Sequence, residues 1–137
     1  MSVSIEPPAG FRPQEEAASF EALCGPLFTH GRDADYACAI QADERHCNKR
    51  GAIHGGLLIT LADHTMGHIV WRHVDEAPCA TVTLNTDFVS GARRGDWLIC
   101  RGRVTRETRT LVFIHGTVTC QDRTVMTASG IWKKLGR

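Results

Sequence analysis

Between Cys47 and Trp71 the chain carries an uncommon group: Asn48, Gly51, then His54-Gly55-Gly56, with a single acid, Asp63, nine residues after His54. Around that acid stand Leu57, Leu58, Ile59, Leu61 and Ala62, the apolar run of a buried helix. A helix that starts at a glycine pair leaves bare backbone N–H groups, because the first four have no partner inside it. Those donors and the positive end of the helix dipole suit an anion or a developing oxyanion. A carboxylate two turns into an apolar helix is costly to bury alone, so its presence asks for a reason. The pair suits a reaction in which charge develops on a carbonyl oxygen while a carboxylate attacks or activates water.

One domain must position these groups, and 137 residues supply one core. Residues 1–28, with Pro7, Pro8, Gly10 and Pro13, read as a lead-in. It holds a short helix at Glu15–Leu23 ended by Gly25-Pro26, and residues 29–137 form the domain proper. Alternation of Ala34, Tyr36, Cys38, Ile40 and Ala42 predicts a strand, and the central helix reaches Trp71–His73. In the next strand Ala80, Val82, Leu84, Thr86 and Phe88 share one face, with Thr81, Thr83 and Asn85 on the other. Runs at Trp97–Val104, Leu111–Cys120 and Thr124–Lys133 follow at short spacings, an antiparallel meander. The expected fold is α+β: an antiparallel sheet of five to six strands wrapped around one long helix. Val112, Ile114, Val118 and Met126 should line the helix side.

The spacing Asn48-x-x-Gly51-x-x-His54-Gly55-Gly56 with Leu61-x-Asp63 resembles the signature of hotdog-fold acyl-CoA thioesterases of the phenylacetate-degradation type, over roughly residues 34–134. The resemblance implies hydrolysis of an acyl or aryl thioester to a free acid and coenzyme A, with no metal and no cofactor. It implies that Gly55, with Gly56 beside it, presents backbone N–H to the thioester carbonyl. On the same resemblance Asp63 would be the nucleophile or general base and would come from the neighbouring subunit. Asn48 would hold the thioester or the water, His54 would orient the loop or contact the thioester, and Thr81 would hold the water. Arg93 and Arg94, with Arg106 or Arg109 in the next link, are the candidates for the coenzyme A nucleotide. The unit is a homodimer or a homotetramer built as a dimer of dimers, which the pairing of open sheet edges also favours on physical grounds.

Each residue also has a structural reading. Asp63 suits an interface ion pair with an arginine, His54 a helix start, Asn48 a self-closed turn, Thr81 a plain strand position, and the arginines solvated loops. His64 and His68 have a metal-ligand spacing, but no glutamate follows His64, and the structural reading is preferred. Asp63 and His68 are spaced as in hotdog hydratases, where the pair precedes the helix; inside a helix the two diverge. Two other functions therefore stand beside hydrolysis: a non-catalytic acyl-CoA-binding hotdog module, and a hotdog dehydratase or hydratase. Composition is that of an ordinary soluble domain, 42% apolar and 23% charged with net charge +1, which favours neither nucleic acid nor membrane as partner. No apolar run is long enough to span a bilayer. Six scattered cysteines without a C-x-x-C, after a mixed opening segment, lead to an expectation of free thiols in the cytoplasm.

Overall fold

The computed structural model describes residues 5–15 and 19–136. Its strands are β1 (Arg12–Pro13), β2 (Leu27–His30), β3 (Ala37–Gln41), β4 (Cys79–Phe88), β5 (Trp97–Glu107), β6 (Leu111–Cys120) and β7 (Arg123–Lys134). Its helices are α1 (Ser19–Cys24) and α2 (Gly55–His73). Among the described residues seven strands make one antiparallel sheet, ordered β1-β2-β3-β5-β6-β7-β4, with α2 against its inner face. The α+β architecture and the long helix are as expected; β1 and β2 are additions to it. At two and four residues they are too short to show a period, and Pro13 suits the sheet edge that β1 occupies. The helix expected at Glu15–Leu23 is described from Ser19 to Cys24, residues 16–18 lying outside the described part.

The strand expected from Ala34 begins only at Ala37, because the Asp35 carboxylate accepts from the amides of Arg32 and Asp33 and folds that stretch into a turn. Its outward residue Ala39 is nonetheless buried, flanked in register by Phe28 and Ile99, whose bulk covers it.

Helix α2 buries Leu57, Leu58, Leu61, Ala62, Thr65, Met66, Ile69 and Val70, a stripe that keeps the 3.6-residue period. Opposite lie Val112, Ile114, Val118 and Met126, all fully buried, as expected. The hydroxyl of Thr65, enclosed with them, donates to the Leu61 carbonyl at 2.7 Å. The floor beneath the helix is low. Gly102 and Gly116 face each other across β5 and β6, and Ala128 continues the row on β7. A Cβ on Gly116 would lie 2.7 Å from the Met66 sulfur, and one on Gly102 would lie 3.0 Å from Ile69 Cδ1. The missing side chains let α2 settle deep in the curve of the sheet.

Gly116→Ala is therefore expected to cost about 1–3 kcal/mol in urea denaturation, through overpacking against Met66. Cys38 and Cys100 sit opposite each other on β3 and β5, and burial pushes both thiols up to about 12. Both stay protonated at pH 8, so a thiol reagent should modify them only after unfolding. Unfolded thiols release their protons near pH 8.5, well before the folded ones, so stability should fall as pH rises past that value.

Candidate active site

The loop before α2 is closed by its own side chains. Asn48 Oδ1 accepts from the amides of Arg50 (2.9 Å) and Ala52 (3.2 Å), and its backbone N–H bonds the Ala52 carbonyl at 2.7 Å. Gly51, at φ 83°, makes the left-handed turn that this closure needs. The structural reading of Asn48 thus holds for its carbonyl end, and only the Nδ2 donors remain for a ligand. The loop is braced from outside by His46, whose carbonyl accepts the His54 N–H at 2.7 Å. His46 sits in a short turn (Glu44–His46) with a reciprocal Asp43–His46 capping box.

At the start of α2 three amides need partners. His54 is the N-cap: its Nδ1 accepts the Gly56 N–H at 2.8 Å, and its carbonyl accepts the Leu57 N–H at 3.0 Å. Nδ1 acting as acceptor puts the proton of the neutral ring on Nε2. Gly56, expected on the substrate beside Gly55, therefore has its amide engaged within the chain. The Gly55 N–H makes no hydrogen bond among the described residues and lies at the positive end of a 19-residue helix. A Cβ on Gly55 would come 2.9 Å from Phe88 Cζ, so this amide sits beside an aromatic edge of β4.

Asp63 lies on the exposed side of α2, and Thr81 Oγ1 donates to its Oδ1 at 2.8 Å. The alternation of β4 predicts Thr81 on the face opposite Leu84, and the structure corrects this. A bulge between Thr81 and Thr83 inserts Val82 as an extra residue, and Thr81 then stands opposite the buried Trp132. Thr81 thereby shares the helix-facing side with Leu84 and Thr86, where its hydroxyl meets the acid. No cation is ion-paired with Asp63 among the described residues, so no arginine of the same chain holds it.

Arg93 and Arg94 line an open groove of about 1320 Å³ with Asn48, Arg50 and Arg123, in front of the loop that leads into α2. Arg109 is not part of it. The β5–β6 turn carries Arg109 to a separate pocket with His73 at the other end of α2, so it is no partner of Arg93 and Arg94 within one chain. Arg50 and Arg123 belong to the groove and were not expected there. Arg123 comes from the β6–β7 turn, which only the strand order brings alongside.

His64 and His68 serve packing. His64 Nδ1 lies 2.8 Å from Glu21 Oε1, tying α1 to α2, and the His68 ring stacks on Tyr36 at 3.8 Å between centroids. Burial, then the charges of His64 and Arg72, hold His68 below the usual imidazole range, so it is neutral at pH 7. No group of three His, Cys, Asp or Glu side chains among the described residues is placed to hold a metal ion. Asp63 and His68 are separated by about 140° around the helix, which does not suit the hydratase arrangement.

A family profile described as the thioesterase superfamily matches residues 50–127, more than half of the chain. The chain belongs to the thioesterase superfamily. It is a thioester hydrolase by class, as the sequence resemblance implied. A Pseudomonas aeruginosa protein named as a candidate esterase is 37% identical over 128 residues, covering 91% of this chain and 95% of that one. Human acyl-coenzyme A thioesterase 13 is 26% identical over 116 residues, covering 84% of this chain and 83% of that one. In three dimensions the chain is similar to the Escherichia coli PaaI protein of the phenylacetic acid degradation operon. The TM-score is 0.79 at 16% identity, over 87% of this chain and 86% of that one, and this likeness shows the hotdog fold.

His54→Ala removes the ring that satisfies Gly56 and should cost about 0.5–2 kcal/mol, while His54→Asn, which can cap in its place, should recover most of it. Urea denaturation of the two variants beside wild type measures this.

Proposed function

We propose that this thioesterase-superfamily protein hydrolyses acyl-CoA thioesters to a free acid and coenzyme A, in a site that two copies of the chain complete. The observation that carries this reading is the separation of its two chemical groups. Gly55 and Asp63 lie eight residues apart on one straight helix, so about 12 Å of rise divides the amide from the acid. Within one chain they cannot meet around a single carbonyl; across a two-fold axis they can.

The exposed surface supports this assembly. Helix α2 shows Ile59 and Trp71 to solvent on the side of Asp63, and the edge strand β4 shows Val82, Phe88 and the adjoining Val89. An open edge with an apolar border suits an isologous pairing with a second copy. Stacking of outer sheet faces into a tetramer finds less support, because that face carries Arg101 and Arg103 with His115 opposite Arg103. The dimer is the unit we propose.

In the reaction the thioester carbonyl oxygen accepts the Gly55 N–H, and negative charge grows there as the carbonyl carbon becomes tetrahedral. Asp63 of the second copy takes a proton from water as the water oxygen attacks the carbon, or attacks the carbon itself, with Thr81 holding one carboxylate oxygen so that the other faces the substrate. Collapse of the intermediate breaks the C–S bond, and the thiolate of coenzyme A leaves and takes up a proton; on the second route water then cleaves the mixed anhydride, which frees the acid and returns the Asp63 carboxylate. Nδ2 of Asn48 is a further donor at the rim. The guanidinium groups of Arg50, Arg93 and Arg94 have no ion pair among the described residues and suit the phosphates of the nucleotide. Six free cysteines support the cytoplasm as the compartment, and no described helix is long and apolar enough to cross a membrane.

Thiol release from a panel of short aliphatic to aryl acyl-CoAs tests the reading. Asp63→Asn should lower turnover by about 10²–10⁴-fold with the oligomer intact, and Thr81→Val should lower it less. No release by wild type on any member would point to a binding module instead. Gly55→Pro removes the donor at a first-turn position whose backbone accepts proline, and the exposed Phe88 ring, which a Cβ there would meet at 2.9 Å, has to turn aside. Mixing inactive Gly55→Pro and Asp63→Asn chains should restore about a quarter of wild-type activity, since half the dimers then hold one intact site. A site contained in one chain would show no restoration.

A further inference from the structure

The groove in front of the α2 loop holds one guanidinium unlike the rest. Those of Arg50, Arg93 and Arg94 are unpaired among the described residues, whereas that of Arg123 binds groups of its own chain. Its Nη1 donates to Ser90 Oγ at 2.9 Å and also to the Gly91 carbonyl, and its Nη2 lies 3.6 Å from Asp96 Oδ2. The same Asp96 oxygen accepts the Arg93 N–H at 2.9 Å, and Ser90 Oγ donates to the Thr124 carbonyl at 2.7 Å. Arg123 thus grips both ends of the Ser90–Asp96 turn that carries Arg93 and Arg94. The turn also reaches the catalytic loop, since the Ala92 carbonyl accepts the Ile53 N–H at 3.2 Å, one residue before the His54 cap.

We propose that Arg123 is a positioning residue for the nucleotide end of the substrate: it fixes the turn so that Arg93 and Arg94 face the coenzyme A phosphates. Its own charge is offset by Asp96, so its contribution is geometry rather than attraction. The turn needs such a tether, because Gly91 and Gly95 leave its backbone free to move and Gly95 takes φ 97°. A planar fork that holds a hydroxyl, a carbonyl and a carboxylate at once is what arginine offers and a lysine point charge does not. The inference rests on the acyl-CoA reading above and deepens it.

The test presents one acyl group on coenzyme A and on pantetheine, which lacks the nucleotide, and measures kcat and KM for each. Wild type should show the lower KM with the coenzyme A thioester. Arg123→Ala should raise that KM about tenfold, one charge-assisted contact's worth, with kcat within about twofold and the pantetheine KM unmoved. Arg123→Lys should behave like Arg123→Ala, and Ser90→Ala, which loses one acceptor of the grip, should fall between it and wild type. Loss of kcat on both thioesters alike would mean a merely structural role and overturn the proposal, as would a wild-type KM in Arg123→Lys. Equal wild-type KM values for the two thioesters would overturn it while leaving the hydrolase reading in place. Failure of wild type on both thioesters would overturn both.

Discussion

An α-helix begins with amides that nothing inside it can satisfy, and the way this chain treats those amides shapes the rest of the molecule. His54 takes one with its ring and another with its carbonyl, and leaves that of Gly55 without a partner among the described residues. An unpaired amide is tolerable only where water or a ligand can reach it. The loop before α2 therefore has to be rigid without covering the amide. Asn48 supplies this by folding its carbonyl back onto Arg50 and Ala52, and His46 braces the same loop from outside. In the proposed reaction this rigidity has a chemical purpose, because a donor stabilises a developing oxyanion only if it is already aimed before the charge appears.

The second demand is that α2 be gripped hard on one side and bare on the other. Its buried stripe reaches the Gly102–Gly116–Ala128 floor, where any larger side chain would lift it. The opposite side carries Asp63, which the hydroxyl of Thr81 on β4 meets. Had the helix ridden higher, Thr81 could not have reached the acid. A packing device in the middle of the sheet thus sets a hydrogen bond at its edge.

What was legible in the sequence divides along the same line. The helix start and its length follow from residues near one another in the chain, so spacing alone reveals them. The acid does not: its apolar neighbours read as a buried setting, whereas Asp63 is exposed on α2. Thr81 is the instructive failure. Val82 keeps apolar step with Ala80 and Leu84, and nothing local signals that it is the extra residue of a bulge. Alternation consequently placed Thr81 on the wrong face. Arg93, Arg94 and Arg109 all read as turn cations, but which turn lies at which end of α2 depends on strand order, a long-range property. Arg123 was invisible for the same reason. Strands β1 and β2 escaped because two or four residues carry no period.

The choice of a hydroxyl as the partner of Asp63 bears on how assembly and chemistry are joined. In a single protomer the carboxylate is exposed and water stabilises its charge. In the proposed dimer a second copy covers the α2 and β4 surface and part of that water leaves, and a buried charge with no cation beside it is costly. An arginine in place of Thr81 would offset that cost, and would also hold the carboxylate too firmly to accept a proton or attack a carbon. Thr81 fixes one oxygen with a single hydrogen bond from an uncharged donor and leaves the other free. The apolar contacts of Ile59, Val82 and Phe88 can then supply the association free energy that a tighter ion pair would otherwise have provided. In the proposed dimer the exposed hydrophobic residues and the acid, bonded to a hydroxyl rather than a cation, are two halves of one arrangement: the first would drive the two chains together, and the second is what the union would make reactive.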